Sequence, residues 1–134
     1  MLEEMRKLSR TIKVLKLFIK ILLVKINEYY TCFYEEAPST TSFPYLVVPT
    51  ITLTPLDAGY TCLFDIEIYN NELSKISVED ILDDLHNNLD NYSYCDKNIA
   101  FHLGFESANI LKSSEQDLLI RKITFSARIF RKEI

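Results

Sequence analysis

His86 follows Asp83 by three residues in a segment of helical spacing, which places an imidazole and a carboxylate on one face and suits general acid or base work. The plainer reading is a solvated surface histidine, and it is adopted here. His102 lies out of phase with Phe101 and Leu103 in a strand-like run, and no cysteine or second histidine stands near enough in sequence to make a metal pair. Cys32, Cys62 and Cys95 are widely spaced without a CxxC pair, so neither a disulfide framework nor a zinc site is supported; buried thiols in a reducing cytoplasm are expected. Asp80, Asp83, Asp84 and Asp90 form an acidic helix face that points outward, whereas an acid and base pair would have to converge in a cleft. The only glycines are Gly59 and Gly104, which removes glycine-rich phosphate loops, and no D-x-D-x-D-G run offers a calcium loop. No catalytic, cofactor-binding or metal-ligating residue is assigned. The expectation is a protein that works by assembly rather than by chemistry.

Charge is the next signal. The chain has a formal charge of -4, but residues 1 to 28 carry seven basic and three acidic groups, whereas residues 56 to 100 carry two basic and ten acidic groups. Opposite patches of this kind suit head-to-tail contacts between copies, with two merely solvated surfaces as the bland alternative. Arg121, Lys122, Phe125, Arg128, Phe130, Arg131 and Lys132 interleave basic and aromatic side chains, yet an isoelectric point near 5.2 argues against a nucleic-acid grip. DNA is expected only as something passing by.

These residues need a scaffold, and 134 residues with 48% apolar and 25% charged composition fit a single globular domain spanning 1–134. Leu8, Ile12, Leu15, Ile19, Leu22 and Ile26 alternate spacings of four and three, which predicts one stripe of a helix over about 3–27. Lys13, Lys16 and Lys20 fall off that stripe. Leu17, Phe18, Ile21, Leu23 and Val24 widen it, by packing between elements or against a neighbouring subunit. Lys16, Lys20 and Lys25 interrupt the apolar run from Val14 to Ile26, so no membrane span or targeting segment is expected; a helix lying on a membrane surface is the alternative for this stretch.

Strands are predicted at 29–34, at 44–53 with Pro49 confining it to an edge, and at 60–69, where Cys62, Phe64, Ile66 and Ile68 alternate with Leu63, Asp65, Glu67 and Tyr69. Ser77 and Asp80 make a capping-box-like start to a second helix over 77–91, with Ile76 and Ile81 as its hydrophobic staple. A polar connector at 91–98, a strand region at 99–111, a loop at 112–117 and a long strand at 118–131 complete the chain. The expected fold is α+β: a mainly antiparallel sheet of about five strands with two helices packed on one face.

With these elements placed, Glu36-Ala37-Pro38, Phe43-Pro44-Tyr45-Leu46-Val47-Val48, Phe64-Asp65-Ile66-Glu67-Ile68-Tyr69 and the helix from Ser77 to Leu89 resemble the tail terminator (tail completion) proteins of tailed bacteriophages and phage-tail-like particles. The long basic first helix and the scarcity of loop glycines depart from that pattern. The resemblance implies a small subunit that forms a hexameric ring at the head-proximal end of the tail tube. Such a ring stops polymerisation of tube protein, and possible sheath protein, and offers a joining surface to the neck or head connector. It implies assembly in the bacterial host cytoplasm, residence in the virion, no cofactor and no catalytic residues. Candidate subunit and partner contacts are Lys13, Lys16 and Lys20 against Asp83, Asp84 and Asp90, with Phe43, Tyr45 and Tyr69 as docking side chains. The loops at 35–43, 70–75 and 112–117 are the natural reach toward partners. The competing readings are a neck or head-completion connector and, from another class, a small cytoplasmic enzyme or ligand-binding domain with polar groups converging in a pocket.

Overall fold

The computed structural model describes residues 1–111 and 117–131. Among these, the chain runs α1 (Leu2–Asn27), β1 (Cys32–Tyr34), β2 (Tyr45–Val48), β3 (Thr54–Leu56), β4 (Gly59–Asn71), α2 (Val78–Leu89), β5 (Ser93–Cys95), β6 (Ile99–Leu111) and β7 (Leu118–Arg131). The strand order is β1-β2-β4-β7-β6-β5, with β3 also on β4. Because β7 pairs along the whole of β4, β2 and β3 share its other edge, β2 at Glu67 to Tyr69 and β3 at Gly59 to Thr61.

A mainly antiparallel sheet of about five strands is therefore not what forms. The seven strands make a curled, mixed half-barrel, and with about 42% of residues in strand against 30% in helix the sheet sets the molecule's shape. Three local causes account for the difference. The connection at 35–44 is too long for a tight hairpin and brings the chain back so that β1 runs parallel to β2, Cys32 opposite Leu46. Pro49 has no N–H to give a ladder, so the expected strand over 44–53 stops at Val48 and a separate β3 starts at Thr54. The connector at 91–98 contains β5, which pairs with β6 through Ser93 opposite His102. Curling follows from the length of β4, β6 and β7 and from a bulge in β6 between Phe105 and Ser107, where the local twist increases.

One face of this sheet and both helices close over a single core. Cys62, Phe64, Ile66 and Ile68 point inward from β4 as the alternation predicts, meeting Ile123, Phe125, Ala127 and Ile129 of β7 and Ile99, Phe101 and Leu103 of β6. From α2, Val78, Ile81, Leu85 and Leu89 enter the same core, and the Ser77 hydroxyl accepts from the Asp80 N–H at 3.1 Å as its N-cap. Arg121 of β7 reaches Glu79 at 3.0 Å, and the buried Asn70 side chain donates to the Ile76 carbonyl at 2.7 Å. These contacts pin the start of α2 to the end of β4.

The first helix forms as expected but packs by a different stripe. Val14, Phe18, Leu22 and Ile26 are its buried residues, a row of fours along one ridge, instead of the expected seam beginning at Leu8 and Ile12. Leu15, Leu17, Ile19, Ile21 and Leu23 flank that row half-buried, so core packing accounts for the widening at Leu17, Phe18, Ile21 and Leu23, whereas Val24 is exposed. Residues 1–10 are exposed throughout, and the first three turns stand beyond the core.

Candidate assembly surface

On the opposite face of the sheet, strand geometry decides which side chains meet. Tyr45 of β2 lies directly across from Tyr69 of β4, and alternation puts both outside the core. Their rings stack with centroids 5.1 Å apart and planes 9° from parallel. Phe43, just before β2, stacks on Tyr45 at 5.5 Å, and Phe33 of β1 meets it edge-on at 6.5 Å. Phe43 remains 40% exposed, and the two tyrosines are half-buried. The three aromatic candidates from the sequence therefore form one continuous stack. Phe33 is the fourth ring; only the parallel β1–β2 register, Phe33 opposite Val47, brings it there.

The hydroxyl of Tyr69 donates to Glu67 Oε1 at 3.0 Å. Burial, reinforced by the Glu67 carboxylate, pushes its phenol up to about 12. Farther along the same outer face, the Thr124 hydroxyl donates to Asp65 Oδ1 at 2.6 Å, and Leu63 is two-thirds exposed. The surface is thus aromatic at the β1–β2 end and mixed polar beyond it.

The charged candidates are dispersed. Lys13, Lys16 and Lys20 are exposed on α1. Asp83 and Asp84 are exposed on α2, but Asp84 accepts the Tyr30 hydroxyl and so ties the exit of α1 to α2. Asp90 accepts the backbone N–H of Phe105 at 2.9 Å and lies 3.9 Å from His86 Nε2. Two of the three acidic candidates therefore hold the subunit's own fold together. The predicted loop over 112–117 falls, except for Asp117, outside the described residues.

Neither histidine is drawn toward a common centre. His86 packs edge-on against Phe105 at 4.7 Å, while His102 Nδ1 and the Ser93 hydroxyl share a hydrogen bond of 2.6 Å across β5 and β6. Among the described residues no group of three or more His, Cys, Asp or Glu side chains could hold a metal ion. An open groove of about 630 Å³ separates the start of α1 from the β3–β4 hairpin, with Lys7, Arg10, Asp57 and Tyr60 in its walls. Among the described residues no helix is long and apolar enough to cross a membrane. No protein-family model matches the chain, and no curated protein matches it.

Cys32 and Cys62 are buried, but Cys95 is exposed, so the expectation of three buried thiols holds for two. Burial pushes both buried thiols up from 9.0 to about 12. The folded state thus keeps protons that the unfolded chain releases above pH 9, and its stability is full below pH 9 and lost as the pH rises toward 12. Each thiol contributes a slope of up to about 1.4 kcal/mol per pH unit. Tyr69 adds the same sign above pH 10. Urea unfolding midpoints between pH 8 and pH 11 are expected to fall, less steeply in Cys62→Ala; a flat wild-type profile through the thiol window that opens at pH 9 would refute the assignment.

Proposed function

We propose that this chain is a ring-forming structural subunit of a tailed phage or phage-tail-like particle. In this reading it acts as a tail terminator: a hexamer caps the head-proximal end of the tube, halts addition of tube and sheath protein, and presents a surface to the neck. One observation carries the reading. Phe43, Tyr45 and Tyr69 come from two of the segments that carry the resemblance, and they assemble with Phe33 into a partly exposed aromatic stack on the face not covered by helices. Tyrosine and phenylalanine are enriched where protein surfaces dock, because a rigid ring buries a large area for little lost side-chain freedom. The lysines of α1 and the exposed Asp80 and Asp83 of α2 add the opposite charges that a closing head-to-tail contact uses.

The test mixes the purified chain with the tail-tube protein that this reading requires its source genome to encode. A sixfold native mass and tubes held at short length are expected. A chain that stays single and leaves tube growth unchanged would remove the proposal. Tyr45→Ala is expected to weaken capping at least tenfold, about 1.4 kcal/mol, without unfolding the subunit. Titrating tube ends with wild type and variant, alongside their melting curves, checks it.

A further inference from the structure

Beyond its bulge, β6 has a paired strand on one side only. Leu103 exchanges bonds with Tyr92 and Asn91, at 2.8 and 2.9 Å, and the Asp90 carboxylate accepts the Phe105 N–H; among the described residues no strand continues this edge. Residues 105–110 are exposed, Ile110 to 71%. The register shows which backbone groups face outward. The N–H groups of Leu103 and Phe105, opposite Ala127 and Phe125, point away from β7. The extra residue at the bulge reverses the phase. Past it, Ala108 and Ile110, opposite Ile123 and Arg121, turn their N–H and C=O groups outward, whereas Ser107, Asn109 and Leu111 bond β7. Pairing with β7 is unbroken from Ser107 to Leu111, and this stretch holds neither a proline nor a charge, the usual devices that keep a free edge from pairing.

Outward groups at this spacing call for an extended backbone, and the remaining edges decide which one. β1, β3 and β5 are three residues each. On β1 the Asn27 side chain takes the N–H and the carbonyl of Cys32, at 3.0 and 3.1 Å, and the Glu36 N–H takes the Tyr34 carbonyl at 2.9 Å. Pro55 sits at the centre of β3. Among the described residues only β6 offers a bare edge of useful length, so a strand pairing between copies joins β6 to β6. We propose that residues 107–111 pair antiparallel with the same residues of a second copy, across a two-fold axis at Asn109. Ala108 and Ile110 of one copy then stand opposite Ile110 and Ala108 of the other and exchange N–H···O=C bonds, about four in all. The side chains select this register. Ala108 and Ile110 lie on the helix-bearing face, opposite core Ile123 and the Arg121 that reaches α2, so each exposed Ile110 closes over the small Ala108 across from it. An axis at Ala108 would set Ile110 against Glu106, and one at Ile110 would leave only Ile110 facing itself within the strand, which ends at Leu111. This contact is isologous, whereas ring closure needs a heterologous one, so the inference stands independently of the terminator reading.

Full-length protein in a Cys95→Ser background tests it. On oxidation Asn109→Cys is expected to cross-link with itself, because directly opposed Cα atoms at a non-hydrogen-bonded position lie about 4.5 Å apart, within disulfide reach. Ser107→Cys is expected to cross-link with Leu111→Cys in a mixture and little by itself. In the wild-type chain the Ala108 and Ile110 amides are expected to exchange more slowly as protein concentration rises. Ala108→Pro removes an outward N–H that no internal ladder bond uses, and Ile110→Lys sets a charge on the edge. Each is expected to weaken self-association at least tenfold in sedimentation velocity while its urea midpoint, measured at dilution, stays close to wild type; Ile110→Lys decides the matter where the proline disturbs β6. Absence of the Asn109→Cys cross-link would overturn the proposal. So would Ser107→Cys cross-linking with itself in preference to Leu111→Cys, or unchanged association of a folded Ile110→Lys variant. Amides at Ala108 and Ile110 that gain protection only when tail-tube protein is added would assign the edge to that protein and equally overturn pairing between copies.

Discussion

Phe18→Ala is expected to lower the free energy of unfolding by about 3–5 kcal/mol. Phe18 is fully buried, and its ring meets Phe101 at 5.0 Å and Phe64 at 6.0 Å, both edge-on. Phe64 in turn stacks on Phe125 at 5.7 Å. One side chain of α1 thus bears on the central strands β4 and β6 and, through Phe64, on β7. Only four residues of α1 are buried, so no neighbouring row on the helix can take over the contact. Truncation leaves an apolar cavity that water does not stabilise, and the two rings lose their edge partner. For a domain whose total stability is of order 5–15 kcal/mol this is a large fraction, and a fall in melting temperature of more than about 10 °C is expected. Val24→Ala, on the same helix but 63% exposed, serves as the control and should stay within about 0.5 kcal/mol of wild type. Urea titrations of both variants decide it. A Phe18 variant as stable as the Val24 variant would mean that α1 is not anchored by this row.

The reason the sequence shows that α1 is a helix but not which way it faces is visible in the same residues. Its second half is apolar on nearly every side, with Leu15, Leu17, Ile19, Ile21 and Leu23 all half-buried, so several stripes satisfy helical spacing equally well. Position against a sheet assembled from distant segments selects one. The second helix has a single apolar stripe and a cap within one short stretch, and it is read correctly from sequence. Strand β4 is legible for a similar reason: strict alternation from Cys62 to Tyr69 admits one inward face. By contrast, the parallel β1–β2 pair depends on bonds between residues far apart in sequence, such as Leu46 N–H to the Thr31 carbonyl and Glu35 N–H to the Val48 carbonyl. Local pattern holds no trace of these. Strand β5 is hidden because three residues in a polar connector have no periodicity to read.

The aromatic stack divides along the same line. Tyr45 and Tyr69 stand out in sequence at the ends of strand-like runs, and antiparallel pairing brings them together. Phe33 joins them only through the parallel register. Asp84 and Asp90 look like an outward acidic face because helical periodicity says nothing of what packs across from it; Tyr30 and the Phe105 N–H supply the partners.

Gly59→Ala is the second large effect, expected to cost about 3 kcal/mol. Gly59 ends the Asp57–Ala58 turn between β3 and β4 with φ of +156°, and a Cβ there would lie 2.1 Å from the carbonyl oxygen of Ile129. That oxygen belongs to the β7 backbone beside Tyr60, so relief requires β4 and β7 to part at their ends. Backbone in a paired ladder cannot move away as a flexible side chain can. Gly104 supplies the contrast. A Cβ at Gly104 would meet only the Ser126 hydroxyl, at 3.2 Å, and a rotamer change relieves that contact. Gly104→Ala is therefore expected to cost less than about 1 kcal/mol. Amide hydrogen exchange should show faster opening at Tyr60 and Thr61 in the Gly59 variant while the Phe64 to Ile68 amides stay protected up to the lowered global stability. Equal destabilisation by the two alanines would contradict the close approach at Ile129, because the two sites differ in whether backbone or a rotatable hydroxyl must yield.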